Sequence, residues 1–306
     1  MADPKLPYAH PAPAPAGGDA DTGRGAGRGA FAALVAGNVA LALGPLFVRM
    51  ADVGPVAAGF WRLALALPLL LFFARHRIAG AFGPAGFSRI GLFAALAGLF
   101  FALDLASWHL GIVRTKMANA VLFGNSASLL LVLYGILLAR RLPGRWQAAA
   151  VLLAFAGGAL MMGESFEIAP QNLVGDLLSL TAGALYTGYI IAMGRARGEL
   201  DQWSALAVAS AAGLLPLLGL AVLLDERLWP TDWMPVMLLA LSSQIVGQGL
   251  LIRALPYFPP LVIGLVLLVQ PAFGALVGWL AYGEWLSPLE LAGGVMVAAA
   301  LVLVRR

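Results

Sequence analysis

Residues 53–74 read VGPVAAGFWRLALALPLLLFFA, a run with a single charge, Arg62, among residues that are otherwise apolar or small. The hydrocarbon core of a bilayer, about 30 Å thick, takes about 20 apolar residues of helix to cross. The stretch therefore reads as a membrane span, and its character repeats along the chain. Apolar runs between Gly, Pro and charged breakers place ten spans at 31–48, 53–74, 89–111, 116–138, 146–163, 172–193, 203–223, 232–252, 258–281 and 288–304. The fold class expected is an all-α polytopic membrane protein.

The composition of the whole chain agrees. Of 306 residues, 61% are hydrophobic and 11% charged, with a mean hydropathy of +0.89. Soluble domains have about a quarter of their residues charged, so an ordinary soluble enzyme is excluded. Thirty-seven glycines and 19 prolines are tolerated in membrane helices, where neighbours satisfy freed backbone groups. With no cysteine, disulfides, thiolate chemistry and Cys-ligated metals are excluded. The net charge of +4 matters through its placement rather than as a sign of nucleic-acid binding.

That placement sets an orientation. With the N-terminus inside, 14 of the 19 Lys and Arg residues fall in cytoplasmic segments and only Arg49, Arg114, Lys116 and Arg227 fall outside. The positive-inside rule then puts both termini in the cytoplasm. Residues 1–29, rich in Pro, Ala and Gly, read as a disordered cytoplasmic tail. The first apolar run begins at Phe31, so the first span is expected to act as an uncleaved signal anchor.

Sliding the chain by 144 residues superimposes the first five spans on the last five, with Leu34, Ala40, Leu41 and Gly44 meeting Leu178, Ala184, Leu185 and Gly188. Each half, 30–167 and 168–306, holds an odd number of spans. Two such units must lie in the membrane with opposite orientation. Inverted five-helix repeats are an architecture of secondary transporters, with the substrate near the midplane at the repeat interface.

Several boundary motifs are shared as well. Phe60-Trp61-Arg62-Leu63-Ala64 opens the second span. Leu103-Asp104-Leu105-Ala106-Ser107-Trp108-His109 closes the third, followed by Ala118-Asn119-Ala120. Val269-Gln270-Pro271, Tyr282-Gly283-Glu284-Trp285-Leu286-Ser287-Pro288 and Gly293-Gly294 follow in the second half. This sequence resembles the drug/metabolite transporter superfamily, in its ten-helix EamA-type branch, from Phe31 onward. The resemblance implies a bacterial inner-membrane exporter of amino acids or similar small metabolites working by alternating access. It is most similar to the aromatic and neutral amino-acid exporters. One departure stands out: where the second half has Gly283-Glu284, the first has Ala139-Arg140.

Charged and polar residues inside the spans are the candidates for a substrate pathway. Arg62 stands roughly 13 Å below the outer end of the second span at 1.5 Å per residue. Asp104, in the third span, lies at nearly the same depth. An Arg at mid-span costs about 2.5–3.5 kcal/mol on insertion, so a pair is expected, either purely structural or forming an outer gate or a proton-holding site. Trp108, one turn beyond Asp104, is either a stacking surface for substrate or an interfacial belt residue. His109 is either a proton relay or a simple hydrogen-bonding residue.

Amides recur at Asn38, Asn125, Gln244, Gln248 and Gln270, and the 144-residue offset places Gln248 on Asp104. Such amides serve helix packing as readily as ligand binding. Their gathering on repeat-related helices favours a polar cavity, which Tyr186 and Tyr189 either line or pack away from. Pro271 deprives the Leu267 carbonyl of its partner and, with Gly124 in the matching region, is a candidate hinge. The Gly157-Gly158 and Gly293-Gly294 pairs read as close-packing surfaces, within the fold or in a homodimer.

A membrane-embedded enzyme is the competing class, with a passive channel as a third reading. The chain offers only His10, His76 and His109 and no zinc, nucleophile-elbow or phosphate-loop motif. No cofactor, metal or nucleic-acid partner is implied, and the expected partners are a small-molecule substrate and the lipid bilayer, with the protein as a monomer or homodimer.

Overall fold

The computed structural model describes residues 20–83, 86–115, 120, 123–140, 142–163, 170–273, 276 and 287–304. Its helices are α1 (Ala20–Ala42), α2 (Gly44–Met50), α3 (Pro55–Ala74), α4 (Arg89–Ile112), α5 (Ser126–Ala139), α6 (Arg145–Gly163), α7 (Leu173–Ala196) and α8 (Gln202–Leu223). They continue with α9 (Met234–Leu239), a π-helix (Ala240–Gln248), α10 (Gly249–Ala254), α11 (Pro260–Leu267) and α12 (Pro288–Leu303). Among the described residues, six segments are long and apolar enough to cross a membrane: Gly27–Met50, Pro55–Ala74, Arg89–Ile112, Pro170–Ala196, Gln202–Leu223 and Met234–Tyr257. Four shorter apolar helices accompany them. Leu137, Leu152, Leu215 and Leu223 are each more than two-thirds exposed, an outward-facing apolar surface that water would penalise and lipid accepts.

Local chemistry starts these helices where the sequence expects. Gly54 and Pro55 open α3, with Pro in the first turn, where a missing N–H is harmless. The Ser88 hydroxyl accepts from Gly91 N at 3.0 Å to cap α4, and Asp201 accepts from Trp203 N and Ser204 N to cap α8.

The structure also departs from expectation. The first helix begins at Ala20 rather than after residue 29, so residues 20–29 are helical instead of tail. Adding turns to an existing helix avoids the cost of nucleating a new one. A two-stranded hairpin, β1 (Phe82–Gly83) with β2 (Gly86–Phe87), joins α3 to α4. The first span turns at Leu43, before Pro45. The fourth breaks at Asn125 and the ninth at Leu268, three residues before Pro271. The eighth is wound as a π-helix over nine residues.

Packing runs between the halves more than within them. The pairs α4 with α7, α4 with α8, α3 with α8, α5 with α11 and α6 with α12 form the main contacts, while α1 lies on the π-helix and α10. Small residues permit the closest of these. A Cβ on Gly157 would lie 2.6 Å from the Gly293 carbonyl oxygen, so this glycine pair seals α6 to α12 within the chain. A Cβ on Gly98 would lie 2.1 Å from the Ala209 carbonyl oxygen, between α4 and α8.

At one end of the bundle the loop 224–233 clasps the start of α3. Glu226 accepts from Val56 N at 3.2 Å and Ala57 N at 2.8 Å, capping α3 with a carboxylate from the other half. Gly54 N donates to the Arg227 carbonyl at 3.0 Å, and Trp61 Nε1 donates to Leu228 O at 2.6 Å. Asp52 accepts from Thr231 N at 2.9 Å and pairs with Arg227 at 3.3 Å. Trp61 packs against Trp229 and Trp233 above this network.

The hydrogen bond from Thr231 N, helped by the Arg227 charge, holds the Asp52 carboxyl below its usual pKa of 3.8. A carboxyl depressed in the clasped state contributes above its unclasped pKa and stops contributing as pH falls through the clasped one. The Asp52 link is therefore expected to hold unchanged from pH 8 to about 5 and to weaken only in stronger acid. The labelling rate of an Ala58→Cys reporter, buried in the first turn of α3, checks this across pH.

Candidate functional site

Arg62 lies about 10 Å from the start of α3 at 1.5 Å per residue and is only 7% exposed. Its Nε donates to Gln244 Oε1 at 3.1 Å. Gln244 Nε2 in turn donates to Ser210 Oγ at 3.0 Å. The relay joins α3 of the first half to the π-helix and α8 of the second, and buried polar groups of this kind demand such partners. Beside it, Tyr189 OH donates to Gln248 Oε1 at 2.8 Å. The Phe101 ring stacks on Tyr189 at 4.6 Å between centroids, and the Arg62 guanidinium carbon stands 5.1 Å from the Phe101 centroid. Tyr186 packs at 5.5 Å from Tyr189.

Five of the sequence-derived candidates thus meet in one polar seam, Arg62, Tyr186, Tyr189, Gln244 and Gln248, and the sixth, Asp104, lies one turn beyond Phe101 on α4. The expected Arg62–Asp104 contact does not form: among the described residues no ion pair joins them, and Arg62 is instead held by Gln244. Depth along two helices sets the level of two side chains and leaves their azimuth open. Here α4 presents Phe101, one turn before Asp104, to the guanidinium.

The other candidates lie in different contacts. Asn38 Oδ1 accepts from Gln270 Nε2 at 2.8 Å, and Asn38 Nδ2 donates to its own helix at Leu34 O. This pair ties α1 to the ninth span. His109 is 1% exposed and its Nδ1 meets the Pro55 carbonyl at 2.6 Å. A carbonyl only accepts, so the proton sits on Nδ1 and the ring fastens α4 to the start of α3. Trp108 packs on Gly124, where a Cβ would stand 3.0 Å from its Nε1. Asn125 stands at the N-cap position of α5, at the break in the fourth span, without a side-chain capping bond.

Sequence reasoning missed Phe101 and Ser210, the aromatic floor of the seam and the last acceptor of its relay. Phe101 carried a signal, since it shares a helix face with Asp104 at a spacing of three. At the end of the bundle opposite the clasp, a groove of about 550 Å³ lies between the ends of α3 and α8, lined by Phe73, His76, Arg77, Arg197, Asp201 and Trp203. Burial lowers the pKa of Arg197 there, and its Nε donates to Ile252 O at 3.1 Å.

Residues 173–306, which supply α7, α8 and the π-helix to this seam, match the EamA-like transporter family. The second half is thus similar to that family. The threonine/homoserine exporter RhtA of Escherichia coli strain K12 is 29% identical over 154 residues, 49% of this chain and 52% of that protein. The same exporter from Escherichia coli O157:H7 matches over the same extent. The chain thus spans about half the length of the curated relatives it matches. A solved crystal structure superposes with a TM-score of 0.75 over 90% of this chain and 96% of that one, at 15% identity. That likeness establishes a shared fold. The match of residues 173–306 and the long apolar helices together support a multi-pass membrane protein.

Proposed function

We propose that the protein exports small metabolites, amino acids foremost, by alternating access between two inverted five-span units, 30–167 and 168–306. The six long apolar segments and four shorter ones supply ten crossings. The observation that carries the reading is the packing pattern. Exchanging spans one to five for six to ten maps α4 with α7 onto the eighth span with α1, and α4 with α8 onto the eighth span with α3. The pairs α3 with α8, α5 with α11 and α6 with α12 map onto themselves. Breaks at Asn125 and Leu268 fall near the same offset. A polar seam at the interface of such units is where a carrier binds its cargo.

With both termini cytoplasmic, the clasp of Glu226, Asp52 and Arg227 closes the outer end and the 550 Å³ groove opens to the cytoplasm. Substrate enters there, reaches the seam, and leaves when the clasp opens. The 29% identity of about half of the chain to a threonine/homoserine exporter supports amino acids as cargo. The enzyme reading gains nothing from the geometry: among the described residues no group of His, Asp and Glu gathers as a metal site would require.

Counterflow in proteoliposomes across a panel of amino acids tests the reading. Saturable exchange of at least one of them is expected. Flux that rises linearly with concentration and shows no exchange would make the protein a channel. The natural absence of cysteine makes topology directly readable. Gly144→Cys and Val113→Cys, both at exposed positions, are expected to react with an impermeant maleimide from opposite sides of the membrane. Labelling from the same side would remove the antiparallel arrangement.

A further inference from the structure

Two groups in the seam are left with nothing to bind. Arg62 uses Nε on Gln244 and lays its plane near Phe101, but its Nη2 is buried without a partner. Asp104 is 8% exposed, and among the described residues its carboxylate receives no hydrogen bond and no ion pair. Asp104 lies one turn along α4 from Phe101, whose ring faces the guanidinium, and among the described residues no ion pair joins it to Arg62. Gln244, itself fixed by Ser210, engages Arg62 through Nε instead.

A buried guanidinium and a buried carboxyl that lack charged partners are each costly to hold in the charged form. A ligand that carries both signs satisfies both at once and brings no net charge into the membrane. We propose that Arg62 and Asp104 are the two poles of a zwitterion site. Arg62 Nη2 takes the carboxylate of an α-amino acid, and Asp104 takes its ammonium group. Phe101 and Tyr186 then face the side chain. The assignment rests on the exporter reading and narrows its cargo to molecules with a carboxylate and an ammonium on neighbouring atoms. An amine would leave Arg62 bare and a 2-hydroxy acid would leave Asp104 bare, and a site built for a polar group rejects an analogue that lacks it strongly.

The test uses the full-length protein, purified in detergent and in proteoliposomes. The probes are L-threonine and L-phenylalanine, each beside its decarboxylated amine and its 2-hydroxy acid. Thermal stabilisation and inhibition of counterflow are read for all six. The amino acid is expected to act at concentrations about 100-fold lower than either analogue. In Asp104→Asn the 2-hydroxy acid should close that gap while the amine does not. In Arg62→Gln the amine should close it while the 2-hydroxy acid does not.

A purely structural role would weaken all ligands alike, so equal losses in both variants overturn the proposal. Equal potency of the amino acid and its two analogues on the wild-type protein overturns it too, without any need for the variants to fold. Counterflow of a metabolite that is not a zwitterion, with the amino acids inert, overturns the zwitterion site but leaves the exporter standing. Absence of counterflow for every probe and metabolite removes the exporter, whatever the thermal data show.

Discussion

Gly98→Val is expected to abolish the folded protein. Gly98 lies where α4 crosses α8, and a Cβ there would sit 2.1 Å from the Ala209 carbonyl oxygen and 2.8 Å from its carbonyl carbon. Backbone cannot rotate aside as a side chain does. The helix has no room to retreat either, because α4 packs on α7 as well. Overpacking a close-fitted site costs about 1–3 kcal/mol and more where nothing yields, and Val adds two methyl groups to a position already closed to one. Size-exclusion of the detergent-extracted variant should show aggregate in place of a single peak. A normal peak with unchanged melting temperature would mean that α4 and α8 do not meet this closely. Gly294 provides the contrast, since a Cβ there meets nothing within 4 Å. Gly294→Ala should leave the protein intact and gain about 0.5–1 kcal/mol from helix propensity.

Glu226→Ala should release the clasped end. The carboxylate is the cap of α3, accepting from Val56 N and Ala57 N, and it reaches them from the opposite half of the chain. Hydrogen bonds to a charged group contribute about 1.5–3 kcal/mol each. Losing them raises the population of the open form by about tenfold or more. The Ala58→Cys reporter, 1% exposed beside the cap, should then label at least about ten times faster from the outer side. Glu226→Gln, which keeps an acceptor but loses the charge, should fall between. Equal rates in all three proteins would show that the clasp does not hold this end closed.

Much of the architecture was legible because lipid imposes one simple demand, a long apolar helix with its backbone satisfied internally. The spans at 53–74 and 203–223, and the caps at Ser88 and Asp201, needed nothing beyond local sequence. Arg62, Asp104, Gln244 and Gln248 were legible for the same reason, since polar groups stand out against Leu and Ala. What each one touches was not. The Gln244 partnership of Arg62 depends on how three helices are rotated, and no periodicity in α3 or α4 encodes that. Glu226 looked like any acidic loop residue, and its role exists only because residues 224–233 fold back across the chain to Val56. The π-helix left no trace, because no residue pattern in Ala240–Gln248 separates a π-turn from an α-turn.

That loosely wound segment has a mechanical consequence. Where each amide reaches one residue further back than usual, its alternative acceptor is already adjacent. Ala240–Gln248 can tighten or relax its pitch by switching each N–H hydrogen bond from one carbonyl to the next, with no amide stripped bare along the way. In hydrocarbon a stripped amide costs several kcal/mol, so most of the chain must move as stiff rods. Among the described residues this stretch alone is sprung, and Gln244 and Gln248 ride on the spring.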